Sequence, residues 1–191
     1  MLFRSPGIKA GSRVPGNIYL LDFLATLCDL AGIPVPATNE GRSLRPVLEG
    51  RAATVRDAVY GVYCGGTRPG IRAVRQGDWK LIQYDVHDGR VRETQLFNLR
   101  ANPEELLIQH RAPEVVALTG HSPTPEQTNL AGDPRHAAKL RELRALVDQW
   151  VVETKDQGDR SEDPLDIFKG YNNRLPDEPA APKAGKAGKK K

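Results

Sequence analysis

Apolar residues crowd into a few stretches of this 191-residue chain, and their spacing changes character along it. In "IYLLDFLATLCDLAGIP", residues 18–34, they run almost unbroken. The pattern predicts a helix in which Asp22 and Asp29, seven positions apart, lie on one face. Asp22 serves equally as the cap of a helix that follows a short strand "IYLL". Gly32, with Pro34 beyond it, marks the stop. A segment this apolar wants cover on most sides. The rest of the chain offers little of it, so exposed apolar surface is expected over residues 18–33.

In "NEGRSLRPVLEG", residues 39–50, Ser43 can cap a short helical turn ending near Gly50. From Ala58 the period shortens. "AVYGVYC" (58–64), "IRAVRQ" (71–76), "WKLIQYDV" (79–86) and "VRETQLFNL" (91–99) are rich in β-branched and aromatic residues. Gly77-Asp78 and Asp88-Gly89 supply residues tolerant of positive φ at two of the short links. The reading is a four-stranded antiparallel meander. In "WKLIQYDV" both faces are mixed, which predicts some cover on each. Residues 100–134 form a long connection, with helical pieces expected around "PEELLIQH" and "PEVVALTG". Asp133 then Pro134 opens a helix. Leu140, Leu143, Val147 and Trp150 form its apolar stripe, widened by Leu146 and Val151. This amphipathic helix is expected to cover one face of the sheet.

Charge changes the picture less than the total suggests. The net charge is +4, but residues 174–191 hold six Lys or Arg against two Asp or Glu. The remaining chain is therefore neutral, and no nucleic-acid footprint is expected. The Pro-, Ala-, Gly- and Lys-rich residues 157–191 are expected to be disordered. No apolar run reaches the length of a membrane span, and the first residues do not read as a signal peptide. Cys28 and Cys64 are isolated; one disulfide between them stays open, but no disulfide scaffold is expected.

Eight segments then stand in one order: "PGIKAGSRV", "LLDFLATLCDLAGIPVP", "GRSLRPVLEG", "RDAVYGVY", "RAVRQGDWKLIQY", "QLFNLRANPEE", "TNLAGDP" and "LRELRALVDQW". In this order they resemble the C-terminal part of a formylglycine-dependent sulfatase of the alkaline-phosphatase-like superfamily, from about Ser5 to Asp156. The resemblance implies an α/β fold with an α+β subdomain: a four-stranded antiparallel sheet packed by a C-terminal amphipathic helix, preceded by the last elements of the large α/β domain. Residues 1–50 would be the remnant of that domain and 51–156 the subdomain, with an insertion at about 106–127. Ala25 stands where such proteins commonly carry proline. The family's activity is sulfuric ester hydrolysis. The chain is expected to be truncated at the N-terminus and inactive alone. Calcium and formylglycine are expected only in a full-length relative. The implied partners are a missing N-terminal sulfatase half and, for the full-length enzyme, a sulfated substrate. Full-length relatives are often exported; the compartment of this chain is left open. The alternatives are a stand-alone non-catalytic binding module, or a fragment of a related phosphodiesterase or phosphonate hydrolase.

Candidate chemistry is sparse. The family's nucleophile motif is Cys-x-Pro-x-Arg. "CGGTR", residues 64–68, has the Cys and Arg spacing, but Gly66 replaces the proline and the motif falls in a hairpin loop. Cys28 reads as core. His87, His110, His121 and His136 share no metal-ligand spacing, and no "DD" pair opens a hard-cation site. No catalytic residue and no metal ligand is assigned. The cations Arg68, Arg72 and Arg75 lie near one loop, and Lys80 reads as structural. Because the resemblance brings loops of this subdomain near the active-site cleft, Arg72 and Arg68 are the substrate-contact candidates, by paired hydrogen bonds to a sulfate.

Overall fold

The computed structural model describes residues 7–14, 16–64, 70–87, 89–156 and 158. Its helices are α1 (Asp22–Ala31), α2 (Arg45–Leu48), α3 (Pro113–Thr119) and α4 (Ala137–Glu153). Strands β1 (Ala58–Tyr63), β2 (Gly70–Gln76), β3 (Trp79–Val86) and β4 (Val91–Asn98) form one antiparallel sheet in the order β1-β2-β3-β4. The meander and the helix expected from the sequence are thus both present, as a mixed α/β fold. At the tight turns Gly77 and Gly89 take φ of 56° and 78°, the left-handed region that side chains resist. Asp88 and the expected disordered tail, apart from Gly158, lie outside the described residues.

The core follows from strand register. Tyr60 pairs with Val74, Val74 with Leu81, and Leu81 with Leu96. This row lies on one face of the sheet, and α4 lays Leu143 and Val147 over it. Val74, Leu81, Leu96 and Leu143 lose all exposure to water. Leu140, Leu146, Trp150 and Val151 pack around them, so the sequence stripe is the packed stripe. On the other face Phe97 is buried and Lys80 bonds Glu105 at 2.6 and 2.8 Å, which gives Lys80 its structural role.

Three local expectations change. "IYLL" forms no strand; Asp22 opens α1 but accepts from the Tyr19 backbone N–H at 2.8 Å and caps no N–H of the helix. "PEELLIQH" is helical only as a 3-10 turn at Ile108–His110. The Asn102 side chain bonds the N–H and C=O of Leu106, and Glu105 takes φ of 56°, which together hold the chain out of a helix. Asp133 caps a 3-10 turn, Pro134–His136, that leads into α4, accepting from Arg135 N–H at 2.9 Å. The expected "PEVVALTG" helix is α3. The excursion that carries α3 returns on itself, with Ile108 N–H donating to Gln127 C=O at 2.8 Å. Ser43 helps start α2, accepting from Arg45 N–H at 3.1 Å.

Candidate functional site

A continuous polar network joins the helical segment to the sheet. Asp22, with no exposure, receives two N–H groups of the nearly buried Arg56 and the backbone N–H of Arg42. Gly41 is required beside it, because a Cβ there would collide with the Leu21 carbonyl. Burial pushes the Asp22 carboxyl up, but Arg56 and the N–H groups of Arg42 and Tyr19 outweigh it, holding the group below the usual carboxylate range. The Arg56 guanidinium also lies 4.6 Å over the Tyr19 ring. The Tyr19 hydroxyl then donates to Tyr60 C=O at 2.9 Å and accepts from Tyr60 N–H.

Tyr60 carries the network across the sheet. Its hydroxyl donates to Asp156 Oδ2 at 2.9 Å, and Arg72 Nε donates to the same oxygen at 2.7 Å. Arg72 and Asp156 are mostly buried, with side chains 15% and 11% exposed. Arg72 holds the Asp156 carboxyl below its ordinary range against the opposing effect of burial. Burial and the neighbouring Asp156 raise the Tyr60 hydroxyl well above the usual phenol range. Arg72 and Asp156 line a cleft of about 550 Å³ between the sheet and α4. The charged lining is two guanidinium groups, Arg72 and Arg92, against four carboxylates, Asp85, Glu93, Asp148 and Asp156. Taken with these side chains ionised, the cleft is net negative.

The sequence candidates do not converge. Arg72 reaches the cleft with its Nε committed to Asp156. Arg68 lies outside the described residues. Arg75 Nε turns to Gly77 C=O at 3.4 Å. Cys28 is buried, Cys64 half-buried at the end of β1, and neither forms a disulfide. His136 meets the Trp79 ring in a tilted contact, centroids 5.2 Å apart, and His121 meets Glu104 at 3.2 Å. Among the described residues no three His, Cys, Asp or Glu groups gather to hold a metal. The calcium implied by the resemblance has no donor set among the described residues. Sequence reading missed Asp22, Arg56, Tyr19 and Asp156. An Asp inside an apolar run and an isolated Arg ahead of β1 were the only signals.

The second feature is apolar. Leu20 is 83% exposed, and Leu21, Leu24, Leu27, Ile33 and Val35 are exposed along and beyond α1. The exposed apolar surface expected over 18–33 is present.

Residues 1–121 match the family described as N-sulphoglucosamine sulphohydrolase, C-terminal. The chain is 34% identical over 163 residues to the Delta 4,5-hexuronate-2-O-sulfatase of Bacteroides thetaiotaomicron, covering 81% of this chain and 28% of that protein. A solved structure of a proposed sulfatase from the same organism superposes with a TM-score of 0.59 at 27% identity, over 85% of this chain and 32% of the other. A further solved structure, of a protein in complex with its substrate D-glucosamine-2-N,6-O-disulfate, gives a TM-score of 0.51 at 26% identity, over 71% of this chain and 24% of the other. The chain thus spans about a quarter to a third of the length of these relatives. Membership of the alkaline-phosphatase-like sulfatases, expected from the eight segments, is what the comparisons return: the chain belongs to the N-sulphoglucosamine sulphohydrolase C-terminal family.

Proposed function

We propose that this chain is the C-terminal scaffold of a sulfuric ester hydrolase acting on sulfated sugars, working with a catalytic half that supplies the nucleophile and the metal. The observation that carries the reading is the apolar face along α1. Leu20, Leu24, Leu27 and Ile33 are exposed on a segment whose opposite side is fastened by Asp22, Thr26 and Cys28. Such a face fits burial against a further domain. The 191 residues contain no Cys-x-Pro-x-Arg, so the chain alone lacks the group from which a formylglycine nucleophile is made. The sulfated-sugar class extends to this chain what one relative binds. Within this reading Arg68 and the terminal N–H groups of Arg72 meet the sulfate, while Asp156 and Tyr60 hold Arg72 in place.

Purified 1–191 is expected to give no turnover of an aryl sulfate above a heat-killed control. Mixed with a separately produced sulfatase chain that carries Cys-x-Pro-x-Arg and the metal ligands, it is expected to form a stable complex with restored turnover. Turnover by the chain alone, or absence of any complex, would overturn the proposal.

A further inference from the structure

The aim of Arg72 depends on where one oxygen stands. Arg72 Nε donates to Asp156 Oδ2 at 2.7 Å, and a guanidinium held at Nε has its terminal nitrogens oriented with it, because the group is planar. The same oxygen is held by the Tyr60 hydroxyl at 2.9 Å. Strand register brings the two donors together. Val62 pairs with Arg72, so Tyr60 is the diagonal neighbour of Arg72 across β1 and β2. Tyr60 stands on a marginal strand, since β1 has only β2 beside it in the sheet. Its backbone N–H and C=O are served instead by one side chain: the Tyr19 hydroxyl accepts from the first and donates to the second at 2.9 Å.

Tyr19 is itself held from three sides. Its backbone N–H donates to Asp22 Oδ2 at 2.8 Å, and the Arg56 guanidinium lies 4.6 Å from its ring centroid. Trp150 of α4 stands against both tyrosines, its ring centroid 6.3 Å from that of Tyr19 and 5.5 Å from that of Tyr60. Tyr19 does not line the cleft that Arg72 enters, so any effect it has there passes through other residues. It directly precedes Leu20 and Leu21, 83% and 42% exposed, in the segment assigned to docking. We infer that Tyr19 is a positioning residue: its hydroxyl fixes the Tyr60 backbone, Tyr60 places the Asp156 oxygen, and that oxygen aims Arg72. The sulfate contact is thereby set in register with the segment that receives the catalytic half. This inference rests on the reading of Arg72 as a sulfate contact and of the leucines as the docking face.

Butane-2,3-dione tests how firmly a guanidinium is held, because its two carbonyls add the two terminal nitrogens as a cyclic diol with no atom lost. The full chain is treated at high dilution, and the rate at each arginine is read by peptide mass spectrometry. Tyr19→Phe keeps the ring against Trp150 and Arg56 and removes only the hydroxyl. It is expected to speed modification of Arg72 by about threefold to tenfold, the equivalent of one lost hydrogen bond. Arg56, 8% exposed and held by Asp22, is the internal control and is expected to keep its rate. Tyr60→Phe is expected to speed Arg72 as well. The double variant is expected to react no faster than Tyr60→Phe alone, because Tyr19 acts through Tyr60. Three outcomes would overturn the inference. They are an unchanged Arg72 rate in Tyr19→Phe, an equal rise at Arg56 (which would mean general loosening), and single effects that multiply in the double variant. No sulfated ligand and no catalytic half enters the measurement. Failure here therefore leaves the function reading intact, and failure to form a complex leaves these rates as they are.

Discussion

Asp22 shows how one carboxylate can set a local structure. It sits without exposure beside Arg56, whose side chain is 7% exposed, and it takes backbone N–H groups from residues 3 and 20 positions away. Taking one partner from a buried pair strands the other charge, at a cost of about 3–5 kcal/mol. Asp22→Ala is therefore expected to lower the unfolding free energy by about that amount in a denaturant titration. The double variant Asp22→Leu with Arg56→Leu is expected to lose less than the single one. The same residue gives a pH dependence. Asp22 and Asp156 both have folded-state pKa values below those of the unfolded chain. Their stabilising effect is complete above the ordinary carboxylate pKa of about 3.9 and is lost as pH falls through the folded values. Asp22→Asn should flatten the acid limb of a stability-against-pH curve, and an unchanged limb would refute the assignment.

Elements differ in how much holds them. Leu143 of α4 is fully buried, and Leu143→Ala is expected to cost about 2–5 kcal/mol in thermal or denaturant unfolding. Leu118 of α3 is 88% exposed, and Leu118→Ala should change stability by less than about 0.5 kcal/mol. The strands and α4 were legible in the sequence because periodicity reports packing directly: Leu143 and Val147 had to face Val74 and Leu81 for the stripe to be buried. Turns were legible where glycine was needed, as at Gly77. The polar network was not, because Asp22 and Arg56 are 34 positions apart and nothing local in either couples them. The failed helix at "PEELLIQH" has a similar origin. Its residues suit a helix, but Asn102 offers the backbone of Leu106 a competing pair of bonds. Arg72 was singled out as a substrate-contact candidate, while its partner Asp156, 84 positions on, was invisible.

At the scale of the whole molecule, the α1 face governs behaviour in solution. With Leu20, Leu24 and Leu27 exposed, the isolated chain is expected to self-associate. Replacing all three by Lys should shift sedimentation toward the monomer; a wild type that sediments as a monomer at all concentrations would contradict this. The sheet, by contrast, resists growth. At one margin the Tyr19 hydroxyl serves both backbone groups of Tyr60. At the other, the Asn129 amide accepts from Leu96 N–H at 3.0 Å and donates to Thr94 C=O at 2.8 Å. Each side chain stands in for a strand at that point, using a single polar group for bonds a neighbouring backbone would make. A fifth strand arriving at either margin must first evict a tyrosine or an asparagine. The sheet thus has a width limited by two side chains.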